Sequence, residues 1–152
     1  MPANTAPIFP VVPNIGFKRI PTANAQVKSD GVSAGSGADL MYKVFTAGAN
    51  GSKLDFIRFW TVANTVTTSV ATVVRAYLST VSTPGATADT DTFLIGEITL
   101  PAQSAANSTN PVNYYDMNLN LNIPTGYYVH VSQHVAQATN QGIQAQAFGG
   151  DF

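Results

Sequence analysis

The most regular stretch of the chain is 115–123, where Met117, Leu119, Leu121 and Ile123 alternate with Asp116, Asn118, Asn120 and Asn122. A period of two puts one set on a buried face and the other in water, which predicts a half-buried β-strand. Pro124-Thr125-Gly126 reads as a turn, and 127–135 and 143–148 read as closing strands. Upstream, residues 40–46, 53–62, 66–78 and 93–100 carry the β-branched and aromatic enrichment of further strands. Ala49-Asn50-Gly51 separates the first two of these as a turn, because Asn and Gly tolerate positive φ. Residues 15–20 form a first short strand closed by Pro21, while 22–38, 84–91 and 102–110 are polar, Gly- or Ser-bearing loops. No segment sustains a helical period; the Ala-rich piece 102–106 is too short and too polar. Seven or eight strands at this spacing predict an all-β fold, a single β-sandwich of jelly-roll type.

Residues 1–14 depart from this pattern. Pro2, Pro7, Pro10 and Pro13 remove backbone donors and hold φ near the polyproline value, which predicts an extended arm ahead of a sandwich domain at 15–152. An apolar tail left free would be a sticky patch, so the arm is expected to dock, either on its own domain or on a neighbour. Fourteen extended residues reach roughly 45 Å, enough to cross to another subunit. The candidate protein-interface residues are therefore Pro7, Ile8, Phe9, Pro10, Val11, Val12 and Pro13, with the terminal Phe152 as a core plug or an interface anchor.

Composition sharpens the picture. The chain has 152 residues, one domain's worth, and no cysteine, so its core must stand without disulfides or thiolate metal sites. Charged residues are only 10% of it although hydrophobic ones are 45%. The surface must then be built from neutral hydroxyls and amides, which lose less on dehydration than ions do. Such a surface suits coverage by other proteins. All seven bases precede residue 76, beside three acids; the remainder holds five acids and no base, so the halves carry +4 and −5. That asymmetry either averages out between interleaved strands or acts between subunits. No basic cluster is dense enough for nucleic acid. The N-terminus has neither an early base nor an unbroken apolar run, so it does not read as a signal peptide, and no run approaches a membrane span.

Groups for catalysis are sparse. His130 and His134 are the only histidines; four residues apart on a strand they would be about 13 Å from one another, too far to share a tetrahedral metal. Asp89 and Asp91 sit in a Thr-rich loop and read as a solvated turn or a weak calcium site. No nucleophile elbow, phosphate loop or HExxH motif is present, and Gly31–Gly37 lacks the lysine of a phosphate cradle. No catalytic, cofactor or metal residues are expected. Arg75 and Glu97 each interrupt an apolar strand and are expected to pair across two strands, fixing register.

Three stretches together carry a family resemblance: Phe45-Thr46-Ala47-Gly48-Ala49-Asn50-Gly51-Ser52-Lys53-Leu54, Ile123-Pro124-Thr125-Gly126-Tyr127, and Ala147-Phe148-Gly149-Gly150-Asp151-Phe152. Over about residues 40–152 the chain resembles a family of small structural proteins of tailed bacteriophages, the final motif being the most specific. The resemblance implies a non-enzymatic virion protein. Within that class it implies a capsid decoration (cement) protein that binds the major capsid protein, forms a homotrimer, and sits on the capsid surface after assembly in the host cytoplasm. It brings no functional residues with it. In this reading 1–14 is a clasp; no nucleic acid, membrane or small-molecule substrate is expected. A rival reading is a tail or fibre component with a receptor- or glycan-binding face, which Tyr114, Tyr115, Tyr127, Tyr128 or Trp60 clustered in one groove would favour. A third is a free carbohydrate-binding sandwich or minor hydrolase, since one fold hosts many functions.

Overall fold

A computed structural model describes residues 9–20, 41–63, 68–82, 92–103, 112–137 and 141–152. Among them are eight strands and no helix: β1 (Val12–Ile20), β2 (Tyr42–Thr46), β3 (Ser52–Ala63), β4 (Thr72–Ser79), β5 (Thr92–Leu100), β6 (Tyr114–Ile123), β7 (Tyr128–Gln133) and β8 (Gln141–Asp151). They form two four-stranded antiparallel sheets, ordered β1-β8-β3-β6 and β2-β7-β4-β5. Each strand of the first half thus pairs with one of the second: β1 with β8, β2 with β7, β3 with β6 and β4 with β5.

One core is shared by all eight strands. Ile20, Phe45, Leu54, Ile57, Phe59, Val74, Leu100, Ile123, Val131 and Ile143 are all buried in it. The alternation expected in β6 is present: Met117 and Ile123 are buried, Leu119 and Leu121 pack against the core, and Asn118, Asn120 and Asn122 are exposed. In β3 the alternation changes phase. Leu54 faces the core, then Ile57 and Phe59 do, because a bulge at Asp55 inserts one residue between Leu54 and Phe56 relative to β8. Opposite it, β6 carries Asn120 at a φ of 47°, a left-handed conformation that asparagine tolerates.

Several strand limits differ from the pattern-based expectation. β1 starts at Val12, three residues early, since Pro13 can sit on an edge strand. The strand expected over 66–78 begins only at Thr72; residues 64–67 lie outside the described segments. Before it, side chains replace strand neighbours. Gln137 accepts from the Val70 N–H and donates to the Val70 carbonyl, both at 2.9 Å, and Gln141 donates to the Thr68 carbonyl. β8 is longer than expected, extending to Gln141–Asp151, because it is paired on both sides, by β1 and β3. The loops 22–38 and 84–91, including Asp89 and Asp91, also lie outside the described residues.

Gly16 fixes how the two sheets meet at one corner. A Cβ there would stand 1.7 Å from the Val44 carbonyl oxygen of the opposite sheet, so only glycine lets β1 lie this close to β2.

Candidate protein-binding face

The two sheets differ on their outer sides. On β2-β7-β4-β5, Tyr77 and His130 point away from the shared core yet are fully buried. Tyr77 packs with Met41, and the His130 Nε2–H donates to the Val81 carbonyl at 3.0 Å. Lys43 on the same side donates to Ser82 and lies over the Tyr128 ring. The middle of this outer side, at β7 and β4, is thus covered by the chain itself, whereas Lys43 on β2 and Leu94 and Glu97 on β5 are exposed.

On the outer side of β1-β8-β3-β6 register brings planar side chains together, Tyr114 exposed and the others half-buried. Phe148 of β8 lies beside Phe56 of β3, and Arg58 and Trp60 of β3 lie beside Asp116 and Tyr114 of β6. The rings of Phe56 and Phe148 stack at 4.7 Å. The Arg58 guanidinium lies 3.9 Å from the Tyr114 ring centroid, and Tyr114 meets Trp60 at 5.2 Å. The result is a continuous layer of Phe148, Phe56, Arg58, Tyr114 and Trp60. Arg58 also donates two parallel bonds to Asp116, at 2.7 and 2.8 Å, which hold its pKa above the usual guanidinium value. The charge at the centre of the face is therefore neutralised within the chain. The Trp60 indole N–H is buried and finds no partner among the described residues.

Along the rim of this face lies β1, with Ile15 at 58% and Phe17 at 78% exposure. Of the residues expected to form an interface, Phe9, Val11, Val12 and Pro13 are exposed, and Pro10 lies against Gly150. Pro7 and Ile8 lie outside the described residues. The backbone here belongs to its own domain: the Val11 N–H donates to the Asp151 carbonyl at 2.8 Å, and Val12, Pro13 and Asn14 pair with Asp151, Gly150 and Gly149. Phe152 lies outside the core cluster, half-buried over the Gly51 turn, its N–H donating to the Gly51 carbonyl.

The three stretches behind the family resemblance converge at one end of the domain. Asp151 accepts from the Ser52 hydroxyl at 2.5 Å and the Asn14 amide at 2.7 Å; Ser52 in turn accepts from the Gly48 N–H. Ala47 donates to the Tyr127 carbonyl, and Asn50 to that of Phe152. Gly51 and Gly126 hold the two turns at φ of 87° and 82°. These residues form a structural latch.

Other expectations about single residues resolve as follows. Arg75 and Glu97 are direct cross-strand partners, 3.1 Å from Nε to Oε2, and Arg75 also reaches His134 Nδ1 at 3.1 Å. His134 is exposed beyond the end of β7, whereas His130 is buried, its pKa lowered to about 4 chiefly by that burial. Among the described residues no three His, Asp or Glu side chains cluster as a metal site. Of the five aromatic residues singled out for a groove, only Trp60 and Tyr114 meet on this face; Tyr115 and Tyr127 pack on the core and Tyr128 lies over the other sheet. Sequence reading missed Phe56 and Phe148. The bulge at Asp55 reverses which residues of β3 face outward, and nothing in the local pattern announces it.

Fold and face define an all-β chain of two sheets, one of which gathers aromatic side chains around a closed ion pair on its outer side. No family model matches the chain, and neither the characterised proteins nor the solved structures compared with it give a match.

Proposed function

We propose that the chain is a bacteriophage virion structural protein without enzymatic activity, a capsid decoration protein that stabilises the shell by binding the major capsid protein. The observation that carries this reading is the inequality of the two outer sheet sides. One is buried at its centre by the chain's own residues; the other gathers half-buried Phe56, Phe148 and Trp60 and exposed Tyr114 around an ion pair already closed on itself. Covering such a surface removes apolar area from water without stranding a charge. Ligation of the assembled state then stabilises it by mass action. The pairing of strands 1–4 with strands 8–5 supports the jelly-roll form of the β-sandwich, in which a ribbon of four antiparallel strand pairs rolls into two sheets. Location on the capsid surface, assembly in the host cytoplasm, threefold association and a clasp at 1–14 belong to the same reading.

Co-sedimentation with phage shells stripped of decoration tests it. The wild-type chain is expected to saturate the shells and Tyr114→Ala to lower occupancy at equal concentration; a folded chain with no affinity for any shell would sink the proposal. One observation favours a second reading, a tail or fibre component with a receptor- or glycan-binding face. Trp60 and Tyr114 lie beside the planar Arg58–Asp116 pair, an arrangement suited to sugar rings and their hydroxyls. Labelling that places the chain on the tail, with glycan-array binding lost in Trp60→Ala, would select it.

A further inference from the structure

Register lays two rows of planar side chains across the outer side of β1-β8-β3-β6. Phe17, Gln146 and Arg58 are direct neighbours in one row, and Arg19, Gln144 and Trp60 in the next, with Tyr114 beyond Trp60. Between Phe17 and Arg19 of β1 and Gln144 and Gln146 of β8 lies a cleft of about 180 Å³. Its polar groups are uncommitted. Arg58 is closed on Asp116, whereas Arg19 has no acidic partner among the described residues. The Gln144 and Gln146 amides likewise make no hydrogen bond among those residues. Arg19 is nonetheless held in place. A Cβ at Gly142 would stand 3.2 Å from its Nε and 3.6 Å from its Nη2, so the guanidinium lies along β8 in the room that glycine leaves. Phe17, Arg19 and Gln144 are all exposed.

We propose that this cleft, with the adjoining Trp60, binds a carboxylate-bearing oligosaccharide of the uronic or sialic acid type. The proposal rests on the glycan-binding reading of the face and adds the charge of the ligand and the residues that read it. A planar guanidinium meets a carboxylate with two parallel N–H bonds, and Arg19 has a carboxamide beside it to donate a third. The Gln146 amide, both donor and acceptor, suits the hydroxyls on a sugar edge. Phe17 and Trp60 offer ring faces to the apolar faces of sugar rings. They stand two strand spacings apart, about 10 Å, with Tyr114 one spacing further. An oligosaccharide crossing the strands therefore meets ring, amide and ring in turn. Other ligands fit this chemistry less well. Nucleic acid needs several phosphate contacts, but Lys53 and Arg58 are closed on Asp55 and Asp116, and Lys18 lies over the Tyr42 ring of the other sheet. A wholly apolar ligand would strip water from Arg19 and both amides without replacing its bonds.

Trp60 is the chain's only tryptophan, so its fluorescence reports on this face directly. The full chain is titrated with hexamers of galacturonic acid and of sialic acid, and with the methyl esters of both, followed by Trp60 emission and by calorimetry. At least one acid hexamer is expected to bind saturably below millimolar concentration, with its uncharged ester bound about tenfold more weakly or worse. Arg19→Gln should weaken the acid hexamer by a similar factor and leave the ester unchanged. Arg19→Lys, which keeps the charge but not the planar fork, should recover only part of the loss. Phe17→Ala should weaken acid and ester alike. These side chains are exposed, so each variant should melt with the wild type, which separates lost binding from lost fold. Failure of both acid hexamers to bind at millimolar concentration, or an Arg19→Gln chain that binds them as the wild type does, would overturn the inference. Ester and acid bound equally would remove the carboxylate assignment while leaving a glycan-binding face in place.

Discussion

Replacing the Asp151 carboxylate with an amide tests whether the C-terminal motif is a latch. The carboxylate accepts from Ser52 and Asn14, and its pKa is held below the ordinary carboxyl value by the Ser52 hydroxyl first, then the Asn14 amide, then the Gly48 N–H. Through these bonds β8 is tied to β1 and to the turn that opens β3. A hydrogen bond to a charged group contributes roughly 1.5–3 kcal/mol and a neutral one about half that. Asp151→Asn weakens two such bonds at a half-exposed site, where water compensates in part, so the loss at neutral pH is about 1.5 kcal/mol. For a chain of this length that lowers Tm by about 3–6 °C. The folded-state pKa is depressed, so the carboxylate's contribution is complete above the unfolded value near ~3.9 and is lost as pH falls through the folded one. Thermal melts from neutral to strongly acid pH should therefore show the wild-type advantage intact at neutral pH and shrinking below about pH 4. Equal Tm values at neutral pH, or a gap that persists unchanged in strong acid, would refute the latch.

Two further outcomes concern burial and close approach. His130 is buried as the neutral form with its pKa lowered to about 4, so the unfolded chain binds its proton first. Stability should then fall as pH drops from about 6.5 towards about 4, by on the order of 3 kcal/mol, and His130→Gln should flatten that slope in chemical denaturation. Gly16→Ala places a methyl 1.7 Å from the Val44 carbonyl and should lower Tm by about 6–12 °C, on a cost of about 3 kcal/mol; Gly126→Ala, with open space around it but a φ of 82°, should lose about 1 kcal/mol. Equal losses at the two glycines in parallel melts would show that sheet contact is not what fixes Gly16.

How far the fold could be read from sequence depended on how local each signal was. The alternation in β6, the turns at Gly51 and Gly126 and the breaks at Pro101 and Pro124 are written in adjacent residues, and those elements match closely. Arg75 and Glu97 were legible because a lone charge in an apolar strand demands a partner. The aromatic face was not. Its members come from β3, β6 and β8, and their adjacency follows from strand order, which no local pattern encodes. β3 also looked like a single uniform strand, although the bulge at Asp55 turns Phe56, Arg58 and Trp60 outward. The early start of β4 was misread because Val66, Val70 and Val73 have the composition of a strand, whereas side chains of Gln137 and Gln141 bond the backbone at Thr68 and Val70.

The charge asymmetry acquires its meaning from the same topology. Bases confined to residues 1–75 and acids dominating 76–152 would make a dipolar molecule if the halves folded separately. Here every strand of the first half lies against one of the second, so segregation along the chain becomes alternation across the sheet. Arg58 meets Asp116 where β3 meets β6, and Arg75 meets Glu97 where β4 meets β5. Both contacts reward the native pairing of distant strands, and a one-residue slip would carry either partner to the opposite side of its sheet. Surface ion pairs contribute little to stability on average, so the use of these two lies in selecting register among strands otherwise rich in interchangeable Val, Thr and Ile. It follows that these two pairs serve to fold the chain, and Arg58, at the centre of the aromatic layer, is neutralised by the same contact that sets the register of β3 on β6.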